Sequence, residues 1–189
     1  LPKITQYNLE VILDKEHKET NLQDYNNNNI EPKLKLLRLR QISLDPNLVD
    51  PRLVDKKLAA KIGKMESSVY NVLDVLVKKI IKRNRKILMF SDFKEGVTDK
   101  LKERYGKYGA VLIDGDITSI NSEDELSKRE KIRRKFQKEP NCKILITTTV
   151  MDEGVDLSAA TDIVHLTLPY APATFDQRIR RSQRVGEIS

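Results

Sequence analysis

The chain has 189 residues, 33% charged and 39% hydrophobic, with a formal net charge of +7. Its apolar runs all fall well short of the ~18 residues of a membrane-spanning helix. Its single cysteine, Cys142, rules out an internal disulfide and, with only His17 and His165 beside it, leaves no zinc-binding spacing. The positive balance suits a polyanionic partner, and it equally suits a plain solvated Lys/Arg surface.

In chain order, Leu1-Pro2-Lys3 carries neither an initiator Met nor a signal-peptide core, so a piece of a longer, intracellular protein is expected, cytoplasmic or nuclear and not secreted. Residues 4–13 contain β-prone Ile4, Val11 and Leu13 and are expected to form a strand. Polar sequence follows, ending in a loop at Asn26-Asn27-Asn28-Asn29. Residues 34–42 are expected to be helical and to stop at Asp45-Pro46, because the residue before proline avoids the α region.

From Glu66 the pattern sharpens. Val69, Leu73, Leu76 and Ile80 recur at three or four residues and predict an amphipathic helix. Four short apolar runs follow, at Ile87-Leu88-Met89-Phe90, Ala110-Val111-Leu112-Ile113, Ile144-Leu145-Ile146 and Ile163-Val164-His165-Leu166. Charged stretches with helical character separate or follow them, over 94–108, 123–138 and 174–184. Buried strands alternating with helices predict a parallel sheet covered on both faces. Ligands of such sheets sit beyond the carboxyl ends of the strands. Those ends carry Ser91-Asp92, Asp114-Gly115-Asp116 and Thr147-Thr148-Thr149.

Two segments bear chemistry. On a helix, Gln177, Arg181 and Arg184 share one stripe, where two guanidiniums offer forked contacts to phosphate oxygens. A solvated basic helix explains the same residues. After Thr147-Thr148-Thr149, Gly154 permits a bend and Asp156 offers an acceptor for a ribose hydroxyl. An ordinary strand-to-loop connection is the alternative.

Taken in order, these segments resemble the motifs of superfamily-two helicases. The strand at 86–93 is similar to the fourth motif, residues 144–157 to the fifth, and Gln177 through Gly186 to the sixth. Asp114-Gly115, Arg129 and Phe136 are similar to the stretch after the fourth motif. Leu37 to Pro46, Gly63-Lys64-Met65-Glu66, Leu168-Pro169-Tyr170-Ala171-Pro172 and Gln183-Arg184-Val185-Gly186-Glu187 resemble segments of the Swi/Snf-like branch. The resemblance spans about Lys33 to Ile188. Arg180 departs from it, standing where glycine is usual, and Gln183 stands where histidine is common. Residues 118–125 lengthen one loop.

The resemblance implies an α/β fold: a RecA-like parallel sheet sandwiched by helices, with a partly irregular, partly helical N-terminal extension. Residues 1–62 would form that connecting segment, packed on the lobe, and 63–189 the second helicase lobe, truncated at its C-terminal end. It implies that Arg181 and Arg184 act as arginine fingers toward ATP held with Mg2+ mainly on a first lobe. Gln177, Gly154 and Asp156 would lie near the nucleotide, with no metal ligand in this chain. Thr148 and Ser91 would touch the nucleic-acid backbone, which positions without reading sequence; strand capping is their alternative role. Double-stranded DNA and the N-terminal motor lobe of the same chain are the implied partners, with no membrane. The rivals are an RNA helicase lobe and a non-catalytic basic α/β module that docks nucleic acid or protein. No Gly-x-x-x-x-Gly-Lys-Ser/Thr loop occurs, so the chain alone is expected to be inactive as an ATPase.

Overall fold

The computed structural model describes residues 5–114, 123–148 and 157–168, with side chains in the last helix from Lys128 on. The described residues divide into two compact units, Gln6–Lys78 and a second made of Thr5 and the residues from Lys79 onward.

The first unit is helical. Helices α1 (Lys15–Asn26) and α2 (Pro32–Leu44) pack together, followed by the short α3 (Lys56–Ala59) and by α4 (Ser68–Lys82), which continues into the second unit. Residues 5–14 form no strand, and Tyr7, Leu9 and Ile12 are exposed. Polar residues interrupt that stretch, and no described strand supplies its backbone with a ladder.

The α1 helix starts at Asp14, whose carboxylate accepts the His17 N–H at 2.9 Å and the Ser68 hydroxyl at 2.8 Å. The His17 N–H, chiefly, holds the Asp14 carboxyl below its ordinary value. The buried residues of α1 are polar: His17, Thr20, Asn21 and Asp24. Asp24 takes a forked ion pair from Arg38 of α2, with both carboxylate oxygens 3.1 Å from Nε. The His17 ring nitrogen Nε2 lies 2.6 Å from the Ile42 carbonyl, and the Asn21 amide donates to the Ser43 hydroxyl at 3.1 Å. Directional bonds therefore fix the α1–α2 register where most helix pairs rely on apolar ridges. Ser67 caps α4, accepting the Tyr70 N–H at 3.1 Å while donating to the Leu44 carbonyl at 2.7 Å.

The second unit is the parallel sheet. Its strands are β1 (Ile87–Phe90), β2 (Val111–Ile113), β3 (Ile144–Thr147) and β4 (Asp162–His165), in the order β2-β3-β1-β4. All three pairings are parallel. The expected apolar runs at 110–113 and 163–166 thus become strands shifted by about one residue. The helical stretch at 94–108 is α5 (Thr98–Arg104) with a following 3-10 turn, and 123–138 is α6 (Glu123–Lys138). The helix expected over 174–184 lies outside the described residues.

Alternate strand residues face opposite ways. Leu88, Phe90, Val111, Ile113 and Leu145 cluster with Phe136 of α6. Ile87, Met89, Leu112, Ile144 and Ile146 are the other set, and α5 packs on β2 and β3. This is a RecA-like sheet with helical cover. Lys86, just before β1, ties it to the end of α6: its ammonium donates to the Phe136 carbonyl and, at 2.8 Å, to that of Glu139. The Phe136 carbonyl lies in the last turn of α6, where carbonyls lack an intrahelical partner, and the Glu139 carbonyl also accepts the Cys142 N–H at 3.2 Å. Burial holds the Lys86 ammonium below its ordinary range and pushes the neighbouring Cys142 thiol up.

Candidate nucleic-acid interface

The carboxyl ends of the strands meet in one row. In the ladder, Thr147 of β3 is the partner of both Phe90 of β1 and Ile113 of β2. The next residues, Ser91, Thr148 and Asp114, therefore stand side by side where the sheet stops. All three are buried, as are Thr147 and Thr167.

Each hydroxyl in this row has a different state. Ser91 is fully buried and turns the chain, accepting the Phe93 N–H at 3.1 Å and donating to the Phe93 carbonyl at 2.9 Å. Thr147 donates to the Thr148 carbonyl at 3.0 Å, and Thr167 accepts the Asp92 N–H at 2.7 Å. The Thr148 hydroxyl is buried and has no hydrogen-bond partner among the described residues. An unmade hydrogen bond of this kind costs about 1–3 kcal/mol, so a group held in that state calls for a reason, and a ligand that completes the bond is one.

Charge is added by a residue the sequence patterns did not single out. Lys94, on the turn after β1, places its ammonium 3.7 Å from the Asp114 carboxylate after β2. In α6, Arg129 keeps Nε and Nη2 buried without a hydrogen bond among the described residues. Among the described residues no group of three or more His, Cys, Asp or Glu side chains is placed to hold a metal ion. No described helix is long and apolar enough to cross a membrane. The residues expected to face ATP, Gln177, Gly154, Asp156, Arg181 and Arg184, lie outside the described residues. So do the neighbouring expectations at Asp116, Arg180 and Gln183.

Comparison with known proteins now places the chain. The helicase conserved C-terminal domain family matches residues 69–186, and the chain belongs to that family. Its fold is that of the second lobe of Swi/Snf-like ATPases. The C-terminal part of the Fun30 ATPase domain superposes with a TM-score of 0.64 at 16% identity, over 96% of this chain and 80% of that one. The Sulfolobus solfataricus SWI2/SNF2 ATPase core, solved in complex with double-stranded DNA, superposes with a TM-score of 0.58 at 19% identity, over 91% of this chain and 35% of that one.

Among curated proteins, the Zorya protein ZorD of Escherichia coli is 30% identical over 105 residues, 54% of this chain and 10% of its own length. The DEAD-box ATP-dependent RNA helicase CshA of Bacillus cereus is 34% identical over 80 residues, 42% of this chain and 14% of its own. The SNF2 domain-containing protein ENL1 of Oryza sativa is 24% identical over 144 residues, 75% of this chain and 14% of its own. The chain thus spans a small fraction of the length of the curated relatives it matches.

Proposed function

We propose that this chain is the second motor lobe of an ATP-dependent translocase stimulated by double-stranded DNA. The observation that carries this reading is the row of polar residues at the carboxyl edge of the sheet, with the Thr148 hydroxyl buried and unmatched. A phosphate oxygen is an acceptor of the right kind for it, and phosphate contacts let a motor track a duplex without reading its sequence. The family match supports a nucleic-acid partner, and the likeness to an ATPase core solved with double-stranded DNA supports the choice of duplex DNA. Between the two expected backbone contacts, Thr148 is the better placed, since Ser91 already spends its hydroxyl on Phe93.

On this reading Arg181 and Arg184 present guanidiniums to the γ-phosphate of ATP, whose hydrolysis supplies the driving force and whose Mg2+ is held by the other lobe. A guanidinium supplies two parallel donors where lysine supplies one point charge. Gln177 orients their helix, and Gly154 and Asp156 lie beside the ribose. The isolated chain then has negligible ATPase activity. The test is ATP turnover by the full-length protein with and without duplex DNA, in wild type and Arg181→Lys. A silent Arg181→Lys favours a docking module in which basic residues act only as charge.

The likeness to an RNA helicase over 80 residues favours one second reading, an RNA-directed lobe. Stimulation by duplex RNA and not by duplex DNA would select it.

A further inference from the structure

We infer that the lysines along α6, Lys128, Lys131, Lys135 and Lys138, form a second track for the backbone of duplex DNA, apart from the strand ends. The inference rests on the nucleic-acid reading above and adds a contact surface to it.

The helix sets the geometry. At 3.6 residues per turn the four lysines fall within roughly 80° of arc. All four are exposed. Ile132 and Phe136 turn the core side of the helix to the sheet. One flank carries Gln137, whose side-chain oxygen accepts the Ala159 N–H at 3.0 Å, in the segment leading to β4. The lysines lie roughly 140° round the helix from Gln137. They are therefore on the other flank, toward β2, the edge strand against which α6 packs.

A plain solvated face would explain lysines that alternate with carboxylates at helical spacing. Here Glu130 is taken by Arg133 and Arg134, whose Nε atoms both lie 2.7 Å from it. Glu139, just past the helix, makes no ion pair among the described residues, and the side chains of Glu123, Asp124 and Glu125 lie outside them. None of the four lysines makes an ion pair or hydrogen bond among the described residues. The helix dipole favours Lys135 and Lys138 in the last turn. It does not favour Lys128 and Lys131, which stand nearer the middle. Like charges at these spacings repel, and a row of phosphates removes that repulsion.

The length of the row suits duplex DNA. From Lys128 to Lys138 the helix rises about 15 Å. One strand of the duplex advances roughly 3.4 Å per phosphate, so about four phosphates pass along that length. Lysines are point charges on flexible stems, suited to following a backbone without reading bases. A protein partner would call for an apolar anchor. Among the described residues, no exposed large hydrophobic side chain lies on α6.

Binding of a short fluorescent DNA duplex to this 189-residue chain, measured across a salt series, tests the track. Two triple variants remove equal charge from exposed positions: Lys131→Gln, Lys135→Gln and Lys138→Gln on α6, and Lys79→Gln, Lys82→Gln and Arg83→Gln at the end of α4. The α6 triple should weaken binding and reduce the slope of log K against log salt by about 2.7, the loss of three phosphate contacts. The α4 triple should change the slope by less than about 0.9, one contact. Circular dichroism reports folding. Lys131→Gln alone, with an expected drop of about 0.9, keeps the test open if the α6 triple fails to fold. An α6 variant that binds as wild type overturns the track. Equal losses in the two triples also overturn it, since net charge alone then governs binding. So does a preference of the lysine row for poly-glutamate over the duplex, which would make it a docking face for acidic protein. In the first case, weakened binding by Thr148→Val leaves the nucleic-acid reading standing. If folded wild type binds no duplex DNA at low salt, the reading and the track fall together.

Discussion

Asn47 holds the backbone of Met65 at both ends: its Oδ1 accepts the Met65 N–H at 3.1 Å and its Nδ2 donates to the Met65 carbonyl at 2.8 Å. The same Oδ1 accepts the Gly63 N–H at 2.8 Å, and Gly63 has φ of +85°. One side chain thus shapes the left-handed turn that leads into α4. Asn47→Ala should destabilise the helical unit by about 2 kcal/mol, the cost of stranding half-buried backbone groups. Urea unfolding followed by circular dichroism measures it.

Gly109 separates the 3-10 turn after α5 from β2. Its φ is +67°, and a Cβ there would lie 2.3 Å from the Asn141 carbonyl oxygen. Gly109→Ala should lower stability by about 3 kcal/mol, combining backbone strain and a collision with main chain. Gly106→Ala is the control, since nothing lies within 4 Å of its added carbon. A thermal melt should separate the two clearly.

Thr148→Val should divide stability from binding. The hydroxyl is buried without a partner among the described residues, so its replacement by a methyl of similar shape removes a desolvation cost. The fold should be unchanged or firmer by about 1 kcal/mol, while duplex binding weakens. Thr148→Ser should keep binding. A Thr148→Val variant that loses stability instead would show the hydroxyl to be structural.

Acid should loosen the start of α1. The His17 N–H and the Ser68 hydroxyl hold the folded Asp14 carboxyl below its ordinary value of 3.8. A carboxyl depressed by folding stabilises above its unfolded pKa, and that contribution is lost as pH falls through the folded one. Stability should therefore be flat in this respect above about pH 5 and decline below 3.8. Asp14→Asn keeps a cap and should flatten that part of the acid limb in a pH series of urea midpoints.

The sheet was legible because its strands are continuous apolar runs, a pattern that burial on both faces requires. Helix α1 was not, because its buried side carries His17, Thr20, Asn21 and Asp24, and periodicity of apolar residues is blind to a polar interface. The strand expected over 4–13 is absent from its described part, where β-prone residues have no ladder to join. At the proposed site, the apolar runs mark where the strands end in polar residues, and it is the resemblance to helicase motifs that singles out Ser91 and Thr148 among them. What separates them is a hydrogen bond to Phe93, which spacing does not encode. Lys94 and Asp114 lie 20 positions apart and are brought together by a crossover that leaves β3 between them. One lysine among many basic residues gave no signal of that contact.

The central claim is a motor lobe that completes an ATPase, and its most direct measurement is ATP turnover by the full-length protein containing this chain, with and without duplex DNA, in wild type and Arg181→Ala. The account predicts turnover that duplex DNA stimulates and that Arg181→Ala reduces by about three orders of magnitude, the scale of a lost arginine finger. DNA-stimulated turnover that survives Arg181→Ala, or no turnover by the folded wild type with its first lobe present, would contradict it.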